Sequence, residues 1–542
     1  MFVEHPLIKP QALEERDYQR ALSDIASKAS TLIVLPTGMG KTVIALRVMA
    51  EVLRKGAKVL FLAPTKPLVE QHAAFLQQFL MGKKVGVMTG EFPPEEREAI
   101  WIENDVIVST PQVVANDLHC ERVNFSKFKL LIFDEAHRAV GNYAYVQVAR
   151  EYREQGGELI LGMTASPGSK RARIEEVCAN LGIERIEQRS ESDPDVAKYI
   201  HEIQMDAIEM ELPIELKRLV LILRSLLAKY VEELMRLKAI EPGRPINRKH
   251  LLELGNALQA RYKAGERHRN LFRAMSLQAM AVKVDHALEM AETQGTSALL
   301  DYLERLKEEA ESEEGTRAAR EIINAPEYQK AWNLAKATKV EHPKLGRLMT
   351  IVARQIGERP DARIIVFTHF RTTCDLVASK LAEVEGARVA KLVGQADRCG
   401  DRGLRQREQV DVLERFREGH FNVLVATSVG EEGLDVANTD LVIFYEPVPS
   451  EIRSIQRRGR TGRKRAGRIV VLVTKRTRDE AYFYASMNKE RAMRKGLSRL
   501  QRELEPKPEE DRKEEMKQDK KQPEALEGRK TRKGQREILD FA

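Results

Sequence analysis

Short apolar runs alternate with amphipathic stretches in two separate regions of the chain. In the first region the apolar runs are TLIVLP, KVLFLA, VGVMTG, DVIVST, KLLIFDEA and LILGMTAS, and in the second they are RIIVFTHF, VAKLVG, NVLVATSV, LVIFYEP and RIVVLVTK. Near-continuous apolar strands are typical of parallel sheets that are covered on both faces. Their alternation with helical patterns predicts an α/β fold with two doubly wound parallel-sheet domains, at residues 1–200 and 341–500.

Residues 201–340 follow a different pattern, because strand signals vanish from about residue 213. The segment IELKRLVLILRSLLAKYVEELMRL predicts a long amphipathic helix, and further helices follow. Apolar side chains recur along this helix and need partners to cover them: Leu216, Leu219, Leu223, Leu226, Leu227 and Leu234. We therefore predict an inserted all-helical domain, with a linker of paired helices as the simpler alternative. The charged segment 501–542 predicts a disordered or loosely helical tail.

Composition narrows the classes of function. The chain has 542 residues, of which 42% are hydrophobic and 32% are charged, so its length and apolar content suit several globular domains. The net charge of +8 makes nucleic acid one candidate partner. Four scattered cysteines without a C-x-x-C pair argue against a zinc site or a disulfide framework. Because no membrane span or signal peptide is recognisable, we expect a cytoplasmic protein that does not bind membranes.

The stretch PTGMGKT follows a predicted strand and opens a predicted helix, as a phosphate-binding loop does. Gly38 and Gly40 allow backbone N–H groups to face phosphate oxygens, and the helix start adds its positive dipole end. Lys41 can reach the β- and γ-phosphates, and the Thr42 hydroxyl can bind Mg²⁺. Leu35 occupies the position of the first glycine of the general motif, which is a departure from it.

A pair of carboxylates follows another strand of the same predicted sheet. LLIFDEAHRA puts Asp134 and Glu135 at the end of an apolar run. A carboxylate at such a strand end can hold Mg²⁺, as we expect of Asp134. Glu135 is then placed to orient and deprotonate the attacking water. Two acidic residues in a loop usually belong to a solvated turn. Their position at a strand end beside a phosphate loop argues against that alternative.

A basic segment, SIQRRGRTGRKR, lies more than 300 residues after the loop. Gln456, Arg460 and Arg463 recur at a spacing of three to four residues, which places them on one face of a helix. An arginine offered to the γ-phosphate accelerates hydrolysis by about 10³–10⁵. Because these residues belong to the second α/β domain, hydrolysis would depend on closure of the two domains. A general basic patch is the alternative.

In this order the motifs resemble those of a superfamily-two helicase of the DEAH type, with two RecA-like motor domains. The segments RDYQ, PTGMGKT, DEAH, TAS, VATSVGEEGLD and QRRGRTGR correspond to successive helicase motifs. The resemblance implies ATP and Mg²⁺ as cofactors, with Thr42 and Asp134 at the metal. It implies that the nucleotide contacts are Arg16, Gln19, Pro36, Thr37, Gly38, Met39, Gly40, Lys41, Thr42, Gly433 and Asp435. The catalytic set is Lys41, Asp134, Glu135, Gln456, Arg460 and Arg463.

Three longer segments are similar to those of archaeal Hef and the Fanconi-anaemia M-type translocases: APTKPLVEQH, GQADRCGDRGLRQREQVDVLERFREG and ATSVGEEGLD. The resemblance implies an ATP-dependent DNA helicase or translocase, with 3′→5′ polarity, that processes forked and branched DNA in fork repair. Hef normally continues into a nuclease domain, whose G-D-x-x-x-E-R-K signature is absent from this sequence. We therefore expect no nuclease activity of this chain itself, and a separate nuclease domain or partner becomes a candidate.

By the same resemblance, nucleic acid crosses both motor domains and contacts Thr65, Thr110, Thr368 and Thr427. Hydroxyl and backbone N–H contacts to phosphate position a strand without reading its sequence. A helix cap is the ordinary role of such a threonine, and only the motif context favours the strand contact.

The predicted helical domain contains a basic stretch between residues 244 and 273. Its eight cations, against two glutamates, give a net charge of +6: Arg244, Arg248, Lys249, Arg261, Lys263, Arg267, Arg269 and Arg273. Tyr262 and Phe272 are interleaved with them. We hypothesise that this stretch grips a second duplex arm and gives a preference for branched DNA; a solvated helix face is the alternative.

Two other functions compete with the DNA motor. The segment ATSVGEEGLD and the helical insert are also similar to features of RNA-directed ATPases of the RIG-I and Dicer type. A nucleotide-switched DNA clamp would keep Lys41 but would not need Glu135, Arg460 and Arg463 together.

Overall fold

A computed structural model of the chain describes residues 2–191, 193–199, 203–241, 246–394, 403–427, 439–448 and 467–504. Several sequence predictions lie outside these residues: Arg244, Gly433, Asp435, Gln456, Arg460, Arg463 and the proposed tail beyond residue 504. Their roles therefore stay predictions.

The first domain is built on a sheet of seven parallel strands in the order β3-β4-β2-β5-β6-β1-β7. The strands are β1 (Thr31–Val34), β2 (Lys58–Leu62), β3 (Val85–Met88), β4 (Val106–Ser109), β5 (Phe128–Asp134), β6 (Leu159–Thr164) and β7 (Arg185–Gln188). Alternate residues of β1 pack on opposite faces, with Ile33 in one core cluster and Leu32 in the other. Both faces are covered, as the apolar runs predicted.

Helices lie on both faces of this sheet. They are α1 (Asp17–Ala26), α2 (Lys41–Arg54), α3 (Lys66–Phe79), α4 (Pro94–Glu103), α5 (Pro111–His119), α6 (Ala144–Glu154), α7 (Arg171–Leu181) and the short α8 (Pro194–Ala197). A 3₁₀ turn spans Ala136–Arg138.

The second sheet has six parallel strands in the order β10-β11-β9-β12-β13-β8. The strands are β8 (Ile203–Met210), β9 (Ile364–Phe367), β10 (Val389–Leu392), β11 (Val423–Ala426), β12 (Leu441–Phe444) and β13 (Gly467–Thr474). The prediction that 201–340 is wholly a separate helical domain is therefore wrong at its start, because β8 pairs with β13 along its whole length. β8 is an edge strand rich in polar residues, such as Gln204 and Glu209, so it lacks the apolar signal.

A helical bundle separates β8 from the rest of its sheet in the sequence. Its helices are α9 (Ile214–Arg236), α10 (Arg248–Lys263), α11 (Arg269–Thr293), α12 (Thr296–Glu311), α13 (Arg317–Ile323) and α14 (Pro326–Ala337). The six leucines of α9 named above pack in this bundle, where Leu216, Leu219 and Leu234 are fully buried. The inserted helical domain is therefore confirmed, and the alternative of a bare helix pair is wrong.

The second domain continues with α15 (Pro343–Glu358), α16 (Arg371–Leu381), α17 (Gln406–Glu418) and the long α18 (Arg478–Leu504). The last helix does not stay on its own domain. Met493, Leu497 and Leu500 are buried in a core cluster of the first domain, and Ser498 accepts a 2.6 Å hydrogen bond from Gln188. The predicted domain 341–500 therefore contributes its C-terminal turns to the core of the domain predicted at 1–200.

Candidate nucleotide and nucleic-acid site

The predicted motifs meet at the carboxyl edge of the first sheet. Strand β1 leads into the loop 35–40, β5 ends at Asp134, and β6 ends at Thr164. These strands are neighbours in the sheet, in the order β5-β6-β1. In parallel sheets this edge is where ligands bind. The loop and the two carboxylates are therefore adjacent because of the topology, although they are separated by about a hundred residues.

The loop is fixed from the side of α1. Gly40 has a left-handed backbone (φ +72°) immediately before α2, and a Cβ there would lie 2.4 Å from Gln19 Nε2. The carbonyl of Met39 accepts hydrogen bonds from Tyr18 Oη (2.7 Å) and Gln19 Nε2 (3.1 Å). Gly38 is also left-handed, with φ +85°. Glycines are thus required where the backbone turns, and Gln19, the predicted adenine contact, also supports the loop.

The departure at Leu35 has a structural reason. Its amide donates to Thr164 O (3.1 Å), which extends the pairing of β1 with β6 by one residue, and its side chain is fully buried. The Lys41 ammonium lies back over the loop, where it donates to Leu35 O at 3.1 Å and Pro36 O at 3.5 Å. The first glycine of the general motif is therefore replaced by a strand residue, while the part of the loop around Lys41 is intact. Arg16 lies beside α1, 3.3 Å from Tyr18 Oη.

Asp134 is buried and bonded to a histidine. His72 Nε2 on α3 lies 2.9 Å from Asp134 Oδ2, and both side chains are largely enclosed. Burial acts to raise the pKa of Asp134, but the His72 contact and the Lys41 charge outweigh it and hold this pKa below its usual range. Tyr145 Oη donates to the backbone carbonyl of Asp134 (2.7 Å). His72 thus holds the carboxylate and Tyr145 holds the backbone of the same residue, which suits a ligand for a divalent cation.

Glu135 has an unusual backbone conformation. Its φ of 49° and ψ of 48° are left-handed, which costs a non-glycine residue about 1–2 kcal/mol. Glu135 Oε2 lies 3.2 Å from His137 Nδ1 but makes no hydrogen bond among the described residues. Strain of this kind at a strand end is typical of functional sites.

A chain of contacts leads from Glu135 to the last helix. His137 Nδ1 lies 3.1 Å from Thr164 Oγ1, which in turn accepts from the Ser166 amide at 3.1 Å. Ser166 Oγ lies 2.8 Å from Met493 Sδ on α18. The TAS segment therefore joins the carboxylate turn to a helix that comes from the second sheet.

The polar atoms fit a nucleotide with its metal ion. Thr37 Oγ1, Gln19 Oε1 and Glu135 Oε2 are buried without hydrogen-bond partners in the described part of the chain. The described residues contain no group of three or more His, Cys, Asp and Glu side chains that could hold a metal on its own. Thr42 and Asp134 remain the residues predicted to hold Mg²⁺, together with phosphate and water.

A cleft of about 700 Å³ opens beside the loop, and α18 forms one of its walls. Its lining includes Pro36 and Thr37 from the loop, Ala165 from the TAS segment, and Ile469 from the second sheet. The two sheets therefore both contribute to the space next to the phosphate loop.

Two of the predicted strand contacts lie at helix N-termini in the first domain. Thr65 precedes α3 and Thr110 precedes α5, so both occupy capping positions. Neither side chain makes the capping hydrogen bond, and Thr65 Oγ1 is buried without a partner among the described residues. The ordinary role of a helix cap is therefore not fulfilled by either hydroxyl.

The threonines of the second domain are enclosed. Thr368 is fully buried, and Thr427 is 5% exposed. Both backbone amides are used within the sheet, by Ala426 O and Leu392 O. The structure therefore does not present these hydroxyls to solvent as a direct strand contact requires; the exposed neighbour at the end of β9 is His369.

The basic stretch of the insert is largely neutralised by other helices. Arg273 contacts Glu233 (2.8 Å) and Glu321 (2.5 Å), and these carboxylates raise its pKa. Arg248 pairs with Glu289 at 2.7 Å. Lys249 and Arg261 pair locally with Glu253 and Glu266. The net charge of +6, counted along the sequence, therefore overstates the field at this surface.

The remaining cations, Lys263, Arg267 and Arg269, cluster with Tyr262 and Phe272 at the junction of α10 and α11. We call these five residues the hairpin tip. All five are exposed, and no carboxylate of the described residues pairs with the three cations. Arg267 lies over the Tyr262 ring at 3.5 Å, and Tyr262 and Phe272 meet edge to face. A basic and aromatic surface of this kind suits nucleic acid.

Comparisons with known proteins agree with this geometry. Residues 10–169 match the family described as type III restriction enzyme, res subunit; residues 344–465 match the helicase conserved C-terminal domain; and residues 215–342 match the helical bundle of a putative ATP-dependent RNA helicase. The crystal structure of the Pyrococcus furiosus Hef helicase domain is 43% identical with a TM-score of 0.69, covering 89% of this chain and 100% of that one. The chain belongs to the Hef helicase family.

Curated relatives extend beyond the region that this Hef-family chain covers. A putative ATP-dependent RNA helicase of Methanocaldococcus jannaschii is 40% identical over 92% of the chain and 63% of its own length. An ATP-dependent DNA helicase of Pyricularia oryzae is 34% identical over 90% of the chain and 47% of its own length. The chain thus spans about half to two thirds of these relatives.

Sequence reasoning missed two histidines at the Hef-family site. His72 lies on the buried face of α3 with Val69, Ala73 and Leu76. A polar residue in such an apolar stripe was a usable signal. His137 belongs to the DEAH segment, but its contact with Thr164 depends on the neighbouring strand and could not be read from spacing. Among the described residues, no helix has the length and apolar character needed to cross a membrane.

Proposed function

We propose that this chain is an ATP-dependent DNA helicase or translocase, of 3′→5′ polarity, that acts on forked and branched DNA. The observation that carries the proposal is the shared sheet edge. Strand β2, which leads to Thr65, is hydrogen-bonded to β5, which ends at Asp134. A strand contact and a hydrolysis site on adjacent strands are what coupling of ATP turnover to strand movement requires. The DNA helicase name of the Pyricularia oryzae relative supports the choice of DNA.

The residues of the loop bind and orient the nucleotide. Backbone N–H groups of the loop and the start of α2 favour phosphate, because the first N–H groups of a helix point out of its end and carry the positive end of its dipole. Lys41 places its ammonium at the β- and γ-phosphates, and Gln19 Oε1 offers an acceptor to the base. Thr42 and Asp134 hold Mg²⁺, which when bound neutralises charge on the phosphates.

Glu135 is the proposed general base. It orients the attacking water and accepts its proton, and the neighbouring His137 restricts where its carboxylate can lie. In this proposal the second domain completes the site with Gln456, Arg460 and Arg463. The two arginines supply guanidinium groups to the γ-phosphate. The same proposal includes ATP and Mg²⁺ as cofactors and a cytoplasmic location for the protein. It also includes a nuclease, supplied either as a further domain or as a partner chain.

We attribute fork preference to the hairpin tip rather than to the whole basic stretch. Lys263, Arg267 and Arg269 keep their charge unpaired among the described residues, whereas Arg248 and Arg273 are neutralised. The triple charge reversal K263E/R267E/R269E should flatten the preference for forked over linear DNA. A matched reversal of exposed cations elsewhere on the insert, R218E/K330E/K339E, which likewise have no carboxylate partner among the described residues, should leave that preference unchanged. Equal effects of the two variants would show that only net charge matters.

The deciding experiment measures ATPase and strand displacement side by side on linear, forked and four-way DNA and on duplex RNA. The proposal expects the highest stimulation by forked or four-way DNA. Stimulation by duplex RNA alone would favour the RNA-directed ATPase, the alternative that the name of the Methanocaldococcus jannaschii relative supports. The variant Glu135→Gln should bind ATP but lose turnover by about 10²–10⁴-fold. A nucleotide-switched clamp predicts no loss of function in that variant.

A further inference from the structure

We infer that His72 holds the Asp134 carboxylate in place for Mg²⁺ and links this carboxylate to the helix that begins at the strand contact Thr65. The inference rests on the proposed function and adds a positioning residue to it. His72 touches neither nucleotide nor strand in this assignment, because its ring nitrogen is bonded to Asp134.

The bond has a defined direction. His72 Nε2 and Asp134 Oδ2 lie 2.9 Å apart, and a carboxylate oxygen is an acceptor, so the ring nitrogen is the donor of this bond. The ring cannot swing away, because it packs against Phe61 of β2 at a centroid distance of 4.5 Å. Tyr145 holds the backbone carbonyl of Asp134 and His72 holds its Oδ2, so the residue is fixed at both ends, and Oδ1 is the oxygen that we assign to the metal.

The same helix carries the strand contact. Thr65 immediately precedes α3, and His72 follows two turns later, a rise of about 10 Å along the helix. Unlike Thr368 and Thr427, Thr65 is only half-buried, and its hydroxyl makes no hydrogen bond to any described residue, so a phosphate oxygen would supply the partner that it lacks. A helix is stiff over two turns. Movement of its first turn on binding a strand is therefore transmitted to the His72 ring and to the carboxylate that it holds.

A purely structural role is the competing explanation, since His72 is also a buried core residue. The two roles differ in what they predict. A packing residue affects folding stability, whereas a residue that orients a metal ligand changes the dependence of nucleotide binding on Mg²⁺. Loss of such an outer partner typically costs about 10- to 100-fold in metal affinity.

The test uses the full chain and a non-hydrolysable ATP analogue, whose affinity is measured with Mg²⁺ and with EDTA. The ratio of the two affinities should fall by about 10- to 100-fold in His72→Ala. It should stay within about threefold of wild type in His72→Gln, because an amide can donate the same hydrogen bond. Leu76→Val, one turn further on the same buried face, is the control for packing and should leave the ratio unchanged. Thermal unfolding of each variant establishes that it is folded.

Two results would overturn the positioning role: an unchanged ratio in His72→Ala, or a ratio in His72→Gln as low as in His72→Ala. If His72→Ala does not fold, His72→Phe takes its place, since it fills the space of the ring beside Phe61 without offering a donor. Its ratio should fall by about 10- to 100-fold, and an unchanged ratio would overturn the positioning role.

The link to Thr65 is tested by adding a single-stranded oligonucleotide to the same titrations with Mg²⁺. The oligonucleotide should change the affinity for the analogue in the wild type, and His72→Ala should remove most of that change. An equal change in both, or no change in the wild type, would refute the link. Failure of the proposed function can be distinguished from failure of this inference. If the proposed function is wrong, DNA does not stimulate ATP turnover, but the ratio of the affinities with Mg²⁺ and with EDTA can still be measured.

Discussion

The buried ion pair between Lys344 and Asp479 is the most direct test of how the domains are joined. Both side chains are fully buried at the first turns of α15 and α18, and they are in direct contact. The Lys344 ammonium also donates to Thr293 O at the end of α11 (3.1 Å) and lies 5.4 Å from the centre of the Tyr445 ring. The substitution Lys344→Met removes the charge and nearly preserves the volume. It therefore tests the contact between the helical bundle and the second sheet without opening a large cavity.

The structure gives the expected size of the effect. Burial raises the pKa of Asp479 even though Lys344 lowers it, so the cost of desolvation exceeds the attraction between the partners. Removing one partner of such a pair leaves a buried charge and costs about 3–5 kcal/mol. For a domain of 150–250 residues, a loss of 1 kcal/mol lowers Tm by about 2–4 °C. We therefore expect the transition of the second domain to fall by about 6–20 °C.

Differential scanning calorimetry is the suitable assay, because a chain with several domains need not unfold in one transition. Lys330→Met, at an exposed position of the bundle, is the control and should change stability by less than about 0.5 kcal/mol. The double variant Lys344→Met/Asp479→Leu should recover most of the loss, since apolar replacement of a whole buried pair is often neutral.

The pH dependence provides an independent check with a definite sign. Without Lys344 the pKa of Asp479 rises further, so the folded state binds a proton that the unfolded chain releases. Stability relative to the wild type then falls as pH rises above the unfolded pKa of about 3.9, and it is regained as pH is lowered toward that value. A loss below about 1 kcal/mol, or a deficit that grows on acidification, would refute this account of the pair.

Two further predictions concern the nucleotide loop and the insert. Gly40→Ala should weaken nucleotide binding about tenfold, because its Cβ would displace the Gln19 amide, which lies 2.4 Å away, from its hydrogen bond to Met39 O in the loop. Gly56→Ala has a similar backbone strain but open space and should bind normally; equal losses in a fluorescence titration would contradict this. Arg273→Met should destabilise the bundle by about 1–2 kcal/mol in thermal unfolding, yet change fork affinity less than twofold in a binding assay, because its charge is already neutralised. A fork affinity that falls as far as in Arg267→Met would show that Arg273 contacts DNA after all.

The strands that the sequence predicted are those with apolar side chains on both faces. All eleven apolar runs form strands β1–β6 and β9–β13, because central strands of parallel sheets carry the strongest signal. The edge strands β7 and β8 were missed, since charged and amide side chains interrupt the apolar residues of RIEQ and IQMDAIEM. Likewise, the position of Asp134 followed from its strand, whereas the left-handed backbone of Glu135 depends on the turn that surrounds it.

Contacts between distant segments were beyond the reach of sequence patterns. The charge of the insert was counted between residues 244 and 273, but Arg273 is neutralised by Glu233 and Glu321 from α9 and α13. Periodicity could predict a helix near residue 490, but not that Met493 and Leu497 would be buried in the first domain. Both errors arise because hydrophobic pattern and charge are local quantities, while packing partners are chosen by the tertiary fold.

The order of strands explains how one sheet edge could serve both nucleotide and nucleic acid. Thr110 and Thr65 follow β4 and β2 on one side of β5, while the TAS segment and the phosphate loop follow β6 and β1 on the other. The two carboxylates at the end of β5 have different neighbours. Asp134 contacts His72 on the helix that follows β2, and Glu135 lies beside His137, which leads through Thr164 and Ser166 to α18. In the proposed motor, the metal ligand would therefore respond to the bound strand, whereas the catalytic base would respond to the helix that comes from the second sheet.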